Sequence, residues 1–240
     1  MAKSKKEIYV HTKRRQPVFA VVKFFLRLFI HKPKIINLND KIPTDGIIIA
    51  PHRGKWGPLF LCIHYPEKIS YIGAHPMLGS YKERFHYLRD VLYIQKLHRK
   101  KFGATLTAGF EAIFSKMIYK GMHLIPSYDD YRFLNTINYV CKTIENGLPV
   151  VVFPENSDKG YDDIMHDFHP GFVKLIQFYN RRYKCDVPVY PLYEHLKKKL
   201  IVIDKPFYLS ELQGMSEEEI CRYAEDRINK LYFEHIKDKN

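Results

Sequence analysis

A chain of 240 residues, 46% of them hydrophobic, is long enough for one large domain with a substantial core, or for one domain with an appendage. The formal net charge of +13 predicts an anionic partner: nucleic acid, an anionic membrane or an acidic carrier protein. Four scattered cysteines without Cys-x-x-Cys pairs argue against a disulfide framework or a zinc site. No stretch reaches about 18 uninterrupted apolar residues, so a conventional membrane-spanning helix is not expected. A signal peptide is not expected either, because Lys23 and Arg27 interrupt the N-terminal apolar run.

The N-terminal segment combines a basic arm with an aromatic run. Residues 1–16 carry lysines and arginines against a single glutamate, and a run rich in phenylalanine follows from Pro17 to Ile30. Proline suits a first helical turn, and Lys23 and Arg27, four residues apart, share one helix face. This pattern predicts an amphipathic helix in the plane of an anionic membrane, with the basic arm contributing about 1 kcal/mol per charge. The alternative is a helix that packs on the protein's own core.

Strands and helices alternate along the rest of the chain. The branched apolar run Ile47–Ile49 predicts a strand buried on both faces. Further strands are predicted over 69–74, 122–126, 148–153, 187–192 and 199–204. Helices are predicted over 17–30, 59–65, most of 75–120 and 134–146, and from Pro170 and the Ser216–Glu219 capping box onward. The sequence therefore predicts an α/β fold: a mostly parallel central sheet flanked by helices, with the membrane-associating segment at 1–34 and the α/β domain at 35–240.

Two of the predicted strands end in the same way, with a proline and then polar residues. His52 follows the strand at 47–49 across Pro51, and Glu155 follows the strand at 148–153 across Pro154. Reactive groups in open α/β sheets lie just beyond the carboxyl ends of strands. A histidine placed there can act as a general base near neutral pH. The alternative for His52 is a surface histidine in a turn.

Three motifs stand in the order and spacing of a known family. They are Pro51-His52 with Pro58, Phe153-Pro154-Glu155, and Val187-Pro188-Val189-Tyr190-Pro191. From about residue 35 to 208 the chain resembles the glycerolipid acyltransferases. The resemblance implies a peripheral enzyme at the cytoplasmic face of the membrane, active in phospholipid biosynthesis. It would move a fatty acyl group from acyl-CoA or an acyl-carrier protein to a lysophospholipid or glycerol-phosphate-type acceptor, with His52 as general base and with no cofactor or metal.

The sequence departs from that family at the residue that would orient the histidine. The family's motif aspartate, five residues after the histidine, is Gly57 here, and its Phe-Pro-Glu block continues with Asn156 and Asp158. Either the site has lost activity, or another carboxylate holds the imidazole. The candidates in loops at the same sheet edge are Asp129, Asp130, Asp158, Asp162 and Asp163. Asp158 is the predicted substitute because it directly follows the Phe-Pro-Glu block. Alternatively, Gly57 is required by a positive φ.

The resemblance and the basic side chains near the motifs together predict the substrate-binding residues. These are Arg53, Lys55, Phe153, Pro154, Glu155, Asn156, Ser157 and Lys159. Glu155 keeps its family position and is expected to hold the acceptor, and the cations would bind its phosphate unless they are ordinary surface charges. His166 and His169 lie near aspartates, but acyl transfer of this kind requires no metal.

Two functions of different class remain open. One is the acyltransferase, and the other is a catalytically inactive protein of the same fold that binds phospholipid or acyl chains at the membrane. Nucleic-acid binding is not expected, because the sequence contains no helix-turn-helix, zinc-finger or RNA-binding signature.

Overall fold

The computed structural model describes residues 17–54, 56–128, 130–156 and 162–237. The basic arm at 1–16 lies outside the described residues. So do four of the predicted site residues, Lys55, Ser157, Asp158 and Lys159.

In the part of the chain that the structure describes, seven strands form one sheet. They are β1 (Lys34–Asn37), β2 (Ile47–Ile49), β3 (Ser70–Ala74), β4 (Leu124–Ser127), β5 (Val150–Val152), β6 (Val189–His195) and β7 (Leu200–Ile203). Their order across the sheet is β1-β7-β6-β2-β5-β3-β4. Every neighbouring pair is parallel except β6 and β7, which are antiparallel. The mostly parallel sheet is therefore confirmed. The largest differences from the predicted strands are that β1 was not predicted and that β6 runs three residues beyond the predicted end at 192.

The described residues also form seven α-helices, which accompany the sheet. They are α1 (Pro17–Phe29), α2 (Trp56–His64), α3 (Tyr81–His86), α4 (Lys101–Gly121), α5 (Phe133–Glu145), α6 (Gly171–Tyr183) and α7 (Glu217–His235). A π-helix over Tyr87–Lys96 extends α3 toward α4. The predicted capping box is confirmed at α7, where the Ser216 hydroxyl accepts the Glu219 backbone N–H. The prediction of a helix from residue 59 is wrong at its start, since α2 begins at Trp56 and Gly57 belongs to its first turn.

The helices cover both faces of the sheet. In β2, Ile47 and Ile49 pack with buried residues of α5, α6 and α7. Ile48 packs on the opposite face with residues of α2 and α4 and with Phe19 of α1. Both faces of β2 are thus buried, which explains why three isoleucines follow one another without polar alternation.

Helix α1 is packed on the domain along one side only. Phe19 lies so close to Gly121 of α4 that a Cβ added to this glycine would overlap its ring. The Arg27 guanidinium donates two hydrogen bonds, of 2.9 and 3.1 Å, to the Ile63 carbonyl at the end of α2. Phe24, Phe25 and other apolar residues of α1 are exposed. Among the described residues, no helix has both the length and the apolar character needed to cross a bilayer.

We expect Phe19→Ala to destabilise the protein by about 3 kcal/mol, because a buried aromatic ring is replaced by a cavity. Phe25→Ala is the matched control on the same helix; its ring is exposed, so its effect should be within about 0.5 kcal/mol. Urea unfolding measures both free energies. Equal effects of the two substitutions would contradict the packing of α1.

Candidate active site

Three polar residues stand at equivalent positions along neighbouring strands, at the carboxyl edge of the sheet. The last residue of β2 pairs with Pro191 on β6 and with Val152 on β5. Three residues further along these parallel segments come His52, Glu194 and Glu155. The chain turns sharply just after His52, since the next two residues have positive φ. Strand register therefore brings one histidine and two carboxyl groups to one end of β6, β2 and β5.

The imidazole of His52 lies in an apolar environment. Its ring contacts Phe153 edge to face at a centroid distance of 5.0 Å, and Phe153 stacks on Tyr71 at 6.2 Å. Nδ1 of His52 is buried. Burial lowers the pKa of His52 to about 4, and the positive charge of Lys96 acts in the same direction. The imidazole is thus neutral at neutral pH, which is the protonation state that a general base requires.

Close packing explains the glycine at position 57. A Cβ added to Gly57 would overlap Oε1 of Glu194 and lie 2.5 Å from the carbonyl oxygen of His52. Gly57 is not among the glycines with positive φ, so the expectation that its φ requires glycine is wrong. The carboxyl group of Glu194 occupies the space that a side chain at position 57 would enter.

Glu194 is buried in an unusual environment for a carboxyl group. It is 1% exposed, and neither carboxyl oxygen accepts a hydrogen bond from another residue of the described chain. Burial raises the pKa of Glu194 well above its ordinary value, and the charge of Arg53 opposes this shift. Sequence analysis missed Glu194 because the predicted strand ended at 192. The alternation of Leu192 and Glu194 on one face of β6 was the available signal.

Arg53 links the turn after His52 to β6. Its guanidinium forms an ion pair with Asp163 at 2.5 Å and donates a 2.7 Å hydrogen bond to the Tyr193 hydroxyl. The Tyr193 hydroxyl in turn donates to the Asp163 carbonyl oxygen. The predicted phosphate-binding arginine therefore already has a carboxylate partner, and its position depends on β6.

Glu155 is coupled to the backbone of His52. Burial raises the pKa of Glu155 to about 7, while a hydrogen bond from the His52 backbone N–H and the charge of Arg53 oppose the rise. The neighbouring Pro154 carbonyl accepts the His169 backbone N–H at 2.8 Å, which ties the Phe-Pro-Glu turn to the segment before α6. Glu155 is therefore partly protonated at neutral pH.

The predicted site residues divide into two groups. Those that the structure places together are His52, Arg53, Phe153, Pro154 and Glu155, with Asn156 next in the chain. Lys55, Ser157, Asp158 and Lys159 are outside the described residues, so their roles stay predictions. In the described parts of the chain, no group of three or more histidine, cysteine, aspartate or glutamate side chains is arranged to hold a metal ion.

Gly57→Ala should destabilise the protein by about 1–3 kcal/mol, because its Cβ meets a carboxyl group and a backbone carbonyl. Gly103→Ala in α4 is the matched control. Its Cβ meets nothing within 4 Å, so we expect a gain of about 0.5–1 kcal/mol. In a Glu194→Ala background, Gly57→Ala should lower the free energy of unfolding by less. If urea unfolding shows that the effects of the two substitutions simply add, the close approach of Gly57 and Glu194 is contradicted.

Glu155→Gln should change the pH dependence of stability. The pKa of Glu155 is higher in the folded protein, about 7, than its ordinary value of 4.5. The folded state therefore binds the proton more tightly, and this carboxyl group lowers stability as the pH rises from about 4.5 through 7. Glu155→Gln has no carboxyl group to ionise at this position. Its free energy of unfolding relative to wild type should therefore rise by on the order of 1–3 kcal/mol as the pH rises over this range. Urea midpoints measured across the range test this, and a pH-independent difference would contradict it.

Comparison with known proteins identifies a structural relative but no family. No protein-family model matches the chain, and neither does any curated protein. Among solved structures, the chain is similar to the crystal structure of the 1-acyl-sn-glycerophosphate (LPA) acyltransferase PlsC from Thermotoga maritima. The TM-score is 0.53 at 12% sequence identity, over 92% of this chain and 81% of that one. The chain thus has a fold similar to that of an LPA acyltransferase.

Proposed function

We propose that this protein is an acyltransferase that works at a membrane surface. It moves a fatty acyl group from acyl-CoA or an acyl-carrier protein to the hydroxyl of a lysophospholipid or glycerol-phosphate-type acceptor. One observation supports this above all: the buried carboxyl of Glu194 fills the space next to His52 that the family's aspartate would enter.

The reaction requires a base and an orienting group. The acceptor oxygen attacks the thioester carbonyl, its proton passes to Nε2 of His52, the C–S bond breaks and the thiolate leaves. A carboxylate that accepts the Nδ1 proton would keep the lone pair on Nε2 and stabilise the imidazolium that forms. In the serine protease triad such a carboxylate is worth on the order of 10⁴ in rate.

Glu194 is suited to replace the missing aspartate. Its Oε1 lies as close to the Cβ position of residue 57 as an aspartate's own oxygens lie to their Cβ. In this proposal a carboxylate from β6 takes the place of one from α2. Asp158, the substitute predicted from the sequence, is the rival for this role.

The pair of His52 and Glu194 would titrate as a unit. Burial lowers the pKa of His52 and raises that of Glu194, so both groups disfavour their charged forms. In the form of the pair that can act as a base, Glu194 is ionised and Nε2 of His52 carries no proton. The form that predominates at lower pH carries one proton more. Activity should therefore rise with pH as the pair loses that proton.

Among the described residues predicted to bind substrate, Arg53, Phe153 and Glu155 lie next to this pair. Glu155 would hold the acceptor, and Phe153 and Pro154 would line the site with Asn156 and Ser157. Arg53 is already paired with Asp163, so binding of the acceptor phosphate would depend more on Lys55 and Lys159. Lys96, which the sequence analysis did not select, acts electrostatically on His52 and is a further candidate. The basic arm and the exposed face of α1 would hold the protein peripherally at the anionic cytoplasmic leaflet.

One observation favours the alternative function. The low pKa of His52 is also what an idle, buried histidine would show. In that case the protein would be an inactive acyltransferase-fold protein that binds phospholipid or acyl chains at the membrane.

An acyl-transfer assay separates these functions. It combines purified protein with labelled acyl-CoA or acyl-carrier protein and with a panel of lysophospholipids and glycerol phosphate. We expect acyl transfer by wild type, and a loss of about 10²–10⁴-fold in kcat/KM for both His52→Gln and Glu194→Gln. Glu194→Gln should also move the acidic limb of the pH profile to lower pH, because the carboxylate that retains the pair's proton is gone. Asp158→Asn is the comparison variant and should have a smaller effect.

Three outcomes would contradict the proposal. Wild type inactive with every donor and acceptor would favour the lipid-binding alternative. Full turnover by His52→Gln would exclude His52 as the base. A larger loss for Asp158→Asn than for Glu194→Gln would assign the orienting role to Asp158. ¹⁵N spectra of the His52 imidazole provide an independent readout, since Glu194→Gln should change its tautomer.

A further inference from the structure

Helix α4 has its large apolar residues on the outside and its small residues on the inside. Ala104, Ala108 and Ala112 are completely buried against the domain. On the opposite side, Phe102 is 79% and Phe110 is 67% exposed. Globular helices normally bury their large apolar side chains, so this distribution indicates that another apolar surface covers the outer face of α4.

The exposed residues form one continuous stripe. It consists of Phe102, Leu106, Phe110, Ile113 and Phe114, which we call the α4 face. Successive members from Phe102 to Ile113 are four, four and three residues apart, which keeps them on one side of the helix. At about 1.5 Å per residue the α4 face is roughly 18 Å long.

The charges around the α4 face identify the chemistry of its partner. Arg99, Lys100 and Lys101 are exposed next to its N-terminal end, and Lys120 is exposed near its C-terminal end. The single acidic residue of α4, Glu111, accepts a hydrogen bond from the Tyr93 hydroxyl. An apolar stripe with cations at both ends matches the acyl-chain boundary and the anionic headgroups of a membrane. It suits a second copy of the chain poorly, because either orientation of two α4 helices would bring lysine against lysine.

The α4 face also lies on the side of the sheet that carries the candidate site. The buried alanines of α4 and Phe19 of α1 belong to the same core layer as Ile48 of β2. Lys96, five residues before α4 begins, acts electrostatically on His52. A membrane that touched the α4 face would therefore lie near the edge of the sheet where His52 follows β2.

We propose that the α4 face docks onto an anionic membrane, as a second in-plane element beside α1. This docking does not require that the protein be an enzyme. It predicts that α4 contributes its own share of membrane affinity, in addition to the basic arm and α1.

Co-sedimentation of the full chain with vesicles tests this docking. The vesicles are phosphatidylcholine with phosphatidylglycerol, and pure phosphatidylcholine for comparison. Phe110→Ser with Ile113→Ser should lower the partition coefficient at least about tenfold, because two apolar side chains lose their contact with lipid. The matched control is Tyr131→Ser with Leu134→Ser, two exposed apolar residues outside α4, and should change it less than about twofold. Lys100→Gln with Lys101→Gln should weaken binding to the anionic vesicles only.

A fluorescence measurement locates α4 directly. In a Trp56→Phe background, Leu106→Trp should be quenched by lipids brominated on their acyl chains. Unchanged partition of the Phe110→Ser, Ile113→Ser variant, or absence of quenching, would overturn the proposal. A wild-type dimer in light scattering that this variant converts to a monomer would instead assign the α4 face to a second copy. His52→Gln should bind vesicles as wild type does, so failure of the docking and failure of the acyltransferase function are distinguishable.

Discussion

The burial of Glu194 at the end of β6 is the constraint on which the site depends. Removing a carboxyl group from water costs several kcal/mol unless a partner compensates, and here burial has shifted its pKa upward instead. Residues next to Glu194 accommodate its carboxyl group. Gly57 leaves room for the carboxyl group, and Arg53 supplies a nearby positive charge. A buried acid retained at such a cost beside a histidine is more readily explained by chemistry than by stability.

The sheet converts this local arrangement into a site. Because β5, β2 and β6 are neighbouring parallel strands, their carboxyl ends present Glu155, His52 and Glu194 side by side. The likeness to the LPA acyltransferase PlsC at 12% identity shows that this framework tolerates wide changes in sequence. Apolar strands that pair in a given register preserve the framework, and in the function we propose the orienting carboxylate comes from β6.

The side of the sheet that faces α1, α2 and α4 carries two properties together. The candidate site at His52 lies on this side of the sheet, and so do the exposed apolar residues of α1 and α4. For the acyltransferase that we propose, this arrangement would give an acyl chain that leaves the bilayer a short path to the sheet edge. The opposite layer, formed by α5, α6 and α7, encloses an ordinary buried core.

The sequence by itself determined the alternation of strands and helices, the mostly parallel sheet, and the positions of His52 and Glu155 at strand ends. These features follow from local patterns: apolar runs, a capping box, and prolines that end strands. The roles predicted for Lys55, Ser157, Asp158 and Lys159 stay predictions. Only the tertiary structure revealed Glu194, because its relation to His52 depends on the register between two strands far apart in the chain. Likewise, only the packing of α4 decided that its alanines face inward and its phenylalanines outward. A helical pattern shows that two faces differ, but the neighbours in the fold decide which face is buried.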